Sequence, residues 1–124
     1  MNKDNFIEIS GRKIGYNFKP LVIAEIGINH GGSLDVAKKM VDTAIKAGIE
    51  IIKHQTHIVS DEMSKEADKE VVDYIGKSIY ELMDECSLSL DDEFQLKNYI
   101  EEKGAIFIST PFSRAAADRL ADFN

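Results

Sequence analysis

Four side chains capable of chemistry stand where apolar, strand-like runs end: Glu25, Lys53, Gln55 and Thr110. Glu25 interrupts Val22-Ile23-Ala24-Glu25-Ile26, and Lys53 follows Ile51-Ile52. A charge in such a run is costly unless it is paired or put to use, so each belongs either to a structural ion pair or to a working site. Strand side chains alternate between faces, so Gln55 shares a face with Lys53 while His54 and Thr56 take the other. Thr110 precedes Pro111 and is either a turn hydroxyl or part of the same site. An acid, a lysine, an amide and a hydroxyl in one small volume could grip an anionic substrate and orient its partner.

The remaining candidates carry less. Gly31-Gly32-Ser33 ahead of a helix could cradle an anion on free backbone N–H groups. It is neither G-x-G-x-x-G nor a P-loop with its lysine, and a tight strand-to-helix turn is the expected role. The histidines are His30, His54 and His57. His54 and His57 tend to face opposite sides and make a poor metal pair, and His30 is expected to serve as a hydrogen-bonding residue. No complete metal site is expected. Cys86 is the single cysteine; its neighbours Leu82 and Met83 make it a structural thiol expected to be buried.

The elements that would hold these residues follow from periodicity. Phe6–Ile9 and Arg12–Ile14 flank Ser10-Gly11 as a short hairpin. Leu21–Ile26 is an almost unbroken apolar run, expected as a strand buried on both faces. Ser33 caps a helix whose apolar residues recur from Val36 to Ile45 and which stops at Gly48. Ile49–Thr56 is the second strand. The stretch from His57 to about Leu88 is long for a connection, carries many charges between Asp61 and Asp73, and opens a helix at the capping box Ser78-Ile79-Tyr80-Glu81. A helix follows over about Asp91–Lys103, with Phe94, Leu96, Tyr99 and Ile100 on its apolar side. Ala105–Thr110 is the third strand, ended by Pro111, and Ser113 caps a last helix to about Asp122. The order is β-α-β-(insert)-α-β-α, an α/β pattern that gives a parallel sheet. A doubly wound sheet or a (β/α)8 barrel would satisfy it; polar groups at every strand's carboxyl end favour the barrel, whose sites lie there.

Composition bounds the rest. The 124 residues suit one domain, and 15 basic against 22 acidic side chains give a net charge of −7. That balance argues against nucleic acid as a partner but leaves room for a small anion held by one or two cations. Met1–Phe6 lacks the apolar core of a signal peptide, and no run reaches the roughly 18 apolar residues that span a membrane. A cytoplasmic location is expected.

The same residues resemble a known family. Ala24-Glu25-Ile26-Gly27-Ile28-Asn29-His30-Gly31-Gly32-Ser33, Ile52-Lys53-His54-Gln55-Thr56, Ser78-Ile79-Tyr80-Glu81 and Phe107 through Ala117 are similar, in order, to sialic acid (N-acetylneuraminate) synthases. The close relatives that make legionaminic acid share the pattern; pseudaminic acid synthases usually carry a different version of the Glu25–His30 motif and rank lower. The resemblance implies a (β/α)8 TIM barrel followed by an antifreeze-like domain, in a homodimer whose small domains cap the partner's barrel. It implies condensation of phosphoenolpyruvate with N-acetylmannosamine or a similar sugar, with release of phosphate and with a divalent metal, Mn2+ or Mg2+, whose ligands are not in this chain. Carried over by motif, Lys53 and Thr110 would hold phosphoenolpyruvate, Glu25 and Gln55 would face the sugar, and Glu25 and Lys53 would be the catalytic pair.

Two departures accompany it. The family's Pro-Gly-Asn turn, whose Asn contacts the sugar, is replaced here by residues 71–77, Val-Val-Asp-Tyr-Ile-Gly-Lys. A barrel of this type also needs about 250 residues. The chain is therefore expected to be a hairpin (1–19) and a partial barrel domain (20–124) of about three β/α units, inactive alone. The competing readings are a Schiff-base aldolase using Lys53 as nucleophile and a non-catalytic product that only binds ligand or a partner.

Overall fold

A computed structural model describes residues 5–123; the outermost parts of the expected segments, residues 1–4 and Asn124, lie outside the described residues. Strands β1 (Phe6–Ile9) and β2 (Arg12–Gly15) form the hairpin. Its turn places Ser10 and Gly11 in the left-handed region, at φ 48° and 81°, as a two-residue hairpin turn demands. The Nε of Arg12 donates to both carboxylate oxygens of Glu50, at 3.1 and 3.0 Å, and its Nη2 donates to the carbonyl of Lys19 at 2.9 Å. The hairpin is thereby fastened beside the start of the central strand.

The body is α/β. Strands β3 (Ile23–Gly27), β4 (Ile51–Thr56) and β7 (Ile106–Pro111) form a parallel sheet in the order β3-β4-β7. Helix α1 (Leu34–Lys46) joins the first two, with the Ser33 hydroxyl accepting from the Val36 N–H. Helix α4 (Leu90–Glu102), capped by Ser89, leads into β7, and α5 (Arg114–Asp122), capped by Ser113, follows it. Ala37 and Val41 of α1 and Leu96 and Ile100 of α4 close over Ile26 and Ile52, with Ala24 and Phe107 against them. These make one helix-covered face; Glu25, Lys53 and Gln55 alternate with them and lie on the other.

That one-sided cover corrects the expectation for the first strand. Ile23 is 45% exposed because α1 and α4 shield a single face, and Val22, ahead of β3, is 56% exposed. Phe94 is likewise 44% exposed, its ring set against Phe123 at 5.3 Å between centroids, while Glu93 occupies the inward stripe of α4. Cys86 is half-buried rather than buried.

The long connection is folded throughout. It runs through α2 (Val59–Glu62), a 3-10 turn (Lys65–Lys69), the two-residue strands β5 (Val71–Val72) and β6 (Lys77–Ser78), and α3 (Ile79–Cys86). The capping box is complete: the Glu81 N–H donates to the Ser78 hydroxyl at 3.1 Å and the Ser78 N–H donates to the Glu81 carboxylate at 2.9 Å. Residues 73–76 form the tip of the β5–β6 hairpin, and Tyr74 there is 90% exposed.

One glycine holds the connection against the sheet. Gly32 has φ 76°, and a Cβ on it would lie 2.1 Å from the backbone carbonyl oxygen of Glu85, at the end of α3. Backbone on both sides leaves nothing free to yield. Gly32→Ala is expected to cost at least about 2 kcal/mol and to loosen α3 from the β3–α1 turn; the urea midpoint and amide exchange along residues 79–86 measure both.

Candidate active site at the strand ends

The β3–β4 register sets Glu25 opposite Lys53, and the two side chains form an ion pair. The β4–β7 register sets Gln55 opposite Thr110. Between Glu25 and Gly27 the ladder shifts by one residue, a bulge of the kind that re-aims side chains at a strand end. Gly27 follows at φ 51°, and a Cβ there would lie 3.5 Å from both the Gln55 Nε2 and the Glu25 Oε1. The ends of Glu25 and Gln55 therefore meet over a position that has no side chain. Three parallel strands thus bring the four expected residues to one rim, on the face away from α1 and α4. The Lys53 and Glu25 side chains keep 33% and 42% of their exposure, so the pair is open to solvent and to ligand instead of sealed in the core.

Behind this rim, on the helix side, lies a second polar cluster. His30 and His54 are stacked, with ring centroids 5.3 Å apart and Nε2 atoms 3.2 Å apart. The Gly32 N–H donates to the His30 Nδ1 at 3.1 Å. A neutral His30 whose Nδ1 accepts must carry its proton on Nε2, so it donates to His54 Nε2; His54 in turn donates from Nδ1 to the Glu93 carboxylate, 3.1 Å away. Glu93 is 1% exposed and also accepts from the Thr56 hydroxyl and, at 3.2 Å, from Arg119. Thr56 and Ser109 hydroxyls are 2.7 Å apart. No side-chain polar atom buried among the described residues lacks a partner.

Burial, then the neighbouring imidazole of His54, lowers the His30 pKa from 6.5 to about 4. Burial raises Glu93, but the hydrogen bonds from His54 and Thr56, with His54 and Arg119 beside it, outweigh that and leave it below the ordinary carboxylate value. The native state therefore binds fewer protons than the unfolded chain as pH falls below 6.5, and stability must fall with it. The His30 contribution is complete above pH 6.5 and lost by about pH 4, and amounts to about 3 kcal/mol; the Glu93 contribution is lost further down, through the carboxylate range. Urea unfolding at a series of pH values should show both steps, and His30→Gln should remove the upper one.

Beyond the strand end, His57 is buried and stacked on Phe112, with centroids 4.2 Å apart at 22°. Its Nδ1 meets both Glu62 oxygens, at 2.9 and 3.0 Å, and its Nε2 meets the Gln55 Oε1 at 3.3 Å. His54 and His57 do face apart, and among the described residues no group of three or more His, Cys, Asp and Glu side chains is placed to hold a metal ion. Sequence reasoning missed Glu93, Glu62 and the partnership of His30 with His54. The Glu93 signal was available: it stands three and seven residues before Leu96 and Ile100, on the apolar stripe.

The fold is similar to that of a solved sialic acid synthetase from Leptospira borgpetersenii, crystallised with citrate. The two superpose with a TM-score of 0.81 at 27% identity, over 98% of this chain and 39% of that one. The model of the NeuB family matches residues 40–124, a span that holds Lys53, Gln55 and Thr110, and the chain belongs to that family. A protein of Methanocaldococcus jannaschii is 35% identical over 118 residues, covering 95% of this chain and 32% of that protein. The pseudaminic acid synthase of Campylobacter jejuni is 32% identical over 113 residues, covering 86% and 32%. The chain spans about a third of the length of these curated relatives. Overall identity does not place the pseudaminic acid synthase below the sialic acid synthetase. No helix among the described residues is long and apolar enough to cross a membrane.

Proposed function

We propose that this chain forms the first three β/α units of a (β/α)8 barrel synthase that condenses phosphoenolpyruvate with an N-acetylated sugar aldehyde, N-acetylmannosamine or a related precursor such as that of legionaminic acid. The observation that carries the reading is the meeting of Glu25, Lys53, Gln55 and Thr110 on the helix-free face at the strand ends. In a doubly wound sheet that face lies under helices; in a barrel it lines the mouth where substrates bind.

Lys53 supplies a fixed positive charge for the phosphate, with Thr110 as a hydroxyl donor beside it. Its ion pair with Glu25 is part-exposed and therefore weak, so a phosphate dianion can claim the ammonium, whose three donors also allow it to keep Glu25. Glu25 and Gln55, converging over Gly27, orient the sugar. The enol carbon attacks the aldehyde carbon, water adds to the resulting cationic centre, and the tetrahedral intermediate expels phosphate. The divalent metal that the family resemblance implies would supply Lewis acidity, and the described residues provide no site for it. The assembly that follows from the same resemblance is a cytoplasmic homodimer.

A Schiff-base lysine works as a free amine in a desolvated pocket, whereas Lys53 is a third exposed and salt-bridged to Glu25. The test is phosphate release by the protein as its gene encodes it, from phosphoenolpyruvate and N-acetylmannosamine, with and without Mn2+. Release that needs both substrates and stops with chelator supports the synthase. Pyruvate trapped on Lys53 by borohydride would replace it with the aldolase.

A further inference from the structure

The groups around His57 bear on the proposed sugar site. Both ring nitrogens face acceptors: the Glu62 carboxylate lies at Nδ1, 2.9 and 3.0 Å away, and the Gln55 carbonyl oxygen lies at Nε2, 3.3 Å away. A hydrogen on Nε2 points at the Gln55 carbonyl oxygen and makes that nitrogen the donor of the contact. The amide oxygen of Gln55 is turned to His57, and its NH2 group lies on the Gly27 side, where a Cβ on Gly27 would lie 3.5 Å from it and 3.5 Å from a Glu25 carboxylate oxygen. Were Nε2 bare, the amide oxygen would face a lone pair; half a turn of the amide removes that repulsion and would set an acceptor in place of the donor at the rim.

The surroundings hold His57 in place. Phe112 stacks on the ring and donates its N–H to the Thr56 carbonyl at 3.2 Å, so the ring is clamped between the ends of β4 and β7. Glu62 ends α2, and Asp61 beside it accepts from the Ala115 N–H at 3.1 Å, which ties α2 to the start of α5. Asp84 of α3 and Arg119 of α5 are the other charged groups on the cavity that His57 lines, a space of about 290 Å3.

We propose that His57, held by Glu62, is a positioning residue that fixes the polarity of the Gln55 amide, so that a hydrogen-bond donor stands beside the Glu25 acceptor where the acceptor sugar binds. The proposal rests on the synthase reading. A donor and an acceptor side by side match a vicinal pair of oxygens on the sugar, one accepting and one donating, and this would make His57 a determinant of sugar choice without contact to it.

Two substitutions of similar polarity separate positioning from packing. In His57→Gln the amide nitrogen falls near the Nε2 position and keeps the donor toward Gln55; in His57→Asn it falls near Nδ1 and keeps only the bond to Glu62. Both lose the stack on Phe112. In the protein as its gene encodes it, His57→Asn should raise the KM for N-acetylmannosamine about tenfold and leave that for phosphoenolpyruvate within about twofold, while His57→Gln stays near wild type. Equal effects of the two variants, or parallel rises in both KM values, would overturn the positioning role. The 15N resonances of His57 give a reading that needs no turnover: in the wild type Nε2 should bear the hydrogen that points to Gln55. A wild-type ring with a bare Nε2 would overturn the proposal, whereas a hydrogen on Nε2 in a protein without synthase activity would overturn the synthase reading alone.

Discussion

Lys53→Ala is expected to lower kcat/KM for phosphoenolpyruvate by about 10^2- to 10^3-fold, the usual loss when a fixed charge on a reacting phosphate is removed. The fold should barely notice. The Lys53 side chain is a third exposed and its partner Glu25 more so, and an ion pair of that exposure is worth about 1 kcal/mol at most. The truncation leaves Glu25 able to hydrate, so no charge is stranded in the core. Steady-state kinetics with phosphoenolpyruvate varied at saturating sugar, set beside thermal unfolding, would show a large fall in one and a small shift in the other. Unchanged kinetics would take Lys53 out of the site, and an equal collapse in stability would make it structural.

Glu93→Ala reverses that pattern, with an expected loss of about 3 to 5 kcal/mol of stability. Glu93 is 1% exposed and takes hydrogen bonds from His54, Thr56 and Arg119. Its removal leaves a guanidinium, an imidazole N–H and a hydroxyl facing a dry cavity with no acceptor. Domains are held by about 5 to 15 kcal/mol in all, so the variant should fold poorly, whereas Glu93→Gln, which keeps one acceptor oxygen, should retain part of the loss. Denaturant midpoints for both, and for Arg119→Ala alone and combined, measure the coupling; a Glu93→Ala cost under about 1 kcal/mol would show that His54 and Arg119 find other partners.

The contrast also explains which parts of the molecule were legible from the chain. Helices α1 and α5 announced themselves through Ser33 and Ser113, and α1 and α4 through a glycine just past the other end, because caps and left-handed stops are local chemistry. Glu25 and Lys53 stood out because a charge within an apolar run needs a reason, and Gln55 because it shares a strand face with Lys53. Glu93 showed itself only by sharing the stripe of Leu96 and Ile100; its partners His54 and Arg119, 39 residues before it and 26 after it, are set by the tertiary fold. Helix α2 and strands β5 and β6 span four residues or fewer, too few for periodicity to register. Phe94 misled through composition, since an aromatic on a helix suggests core while this one lies beside the apolar stripe and packs on Phe123.

Strand β4 has a consequence for how such a protein can change over evolutionary time. Its odd-numbered residues Lys53 and Gln55 look to the rim, and its even-numbered residues His54 and Thr56 are bolted into the scaffold. Neighbouring codons therefore experience separate selection. New specificities can be sampled at alternate positions of one strand while the intervening ones stay fixed, so novelty and foldability are inherited side by side with little interference.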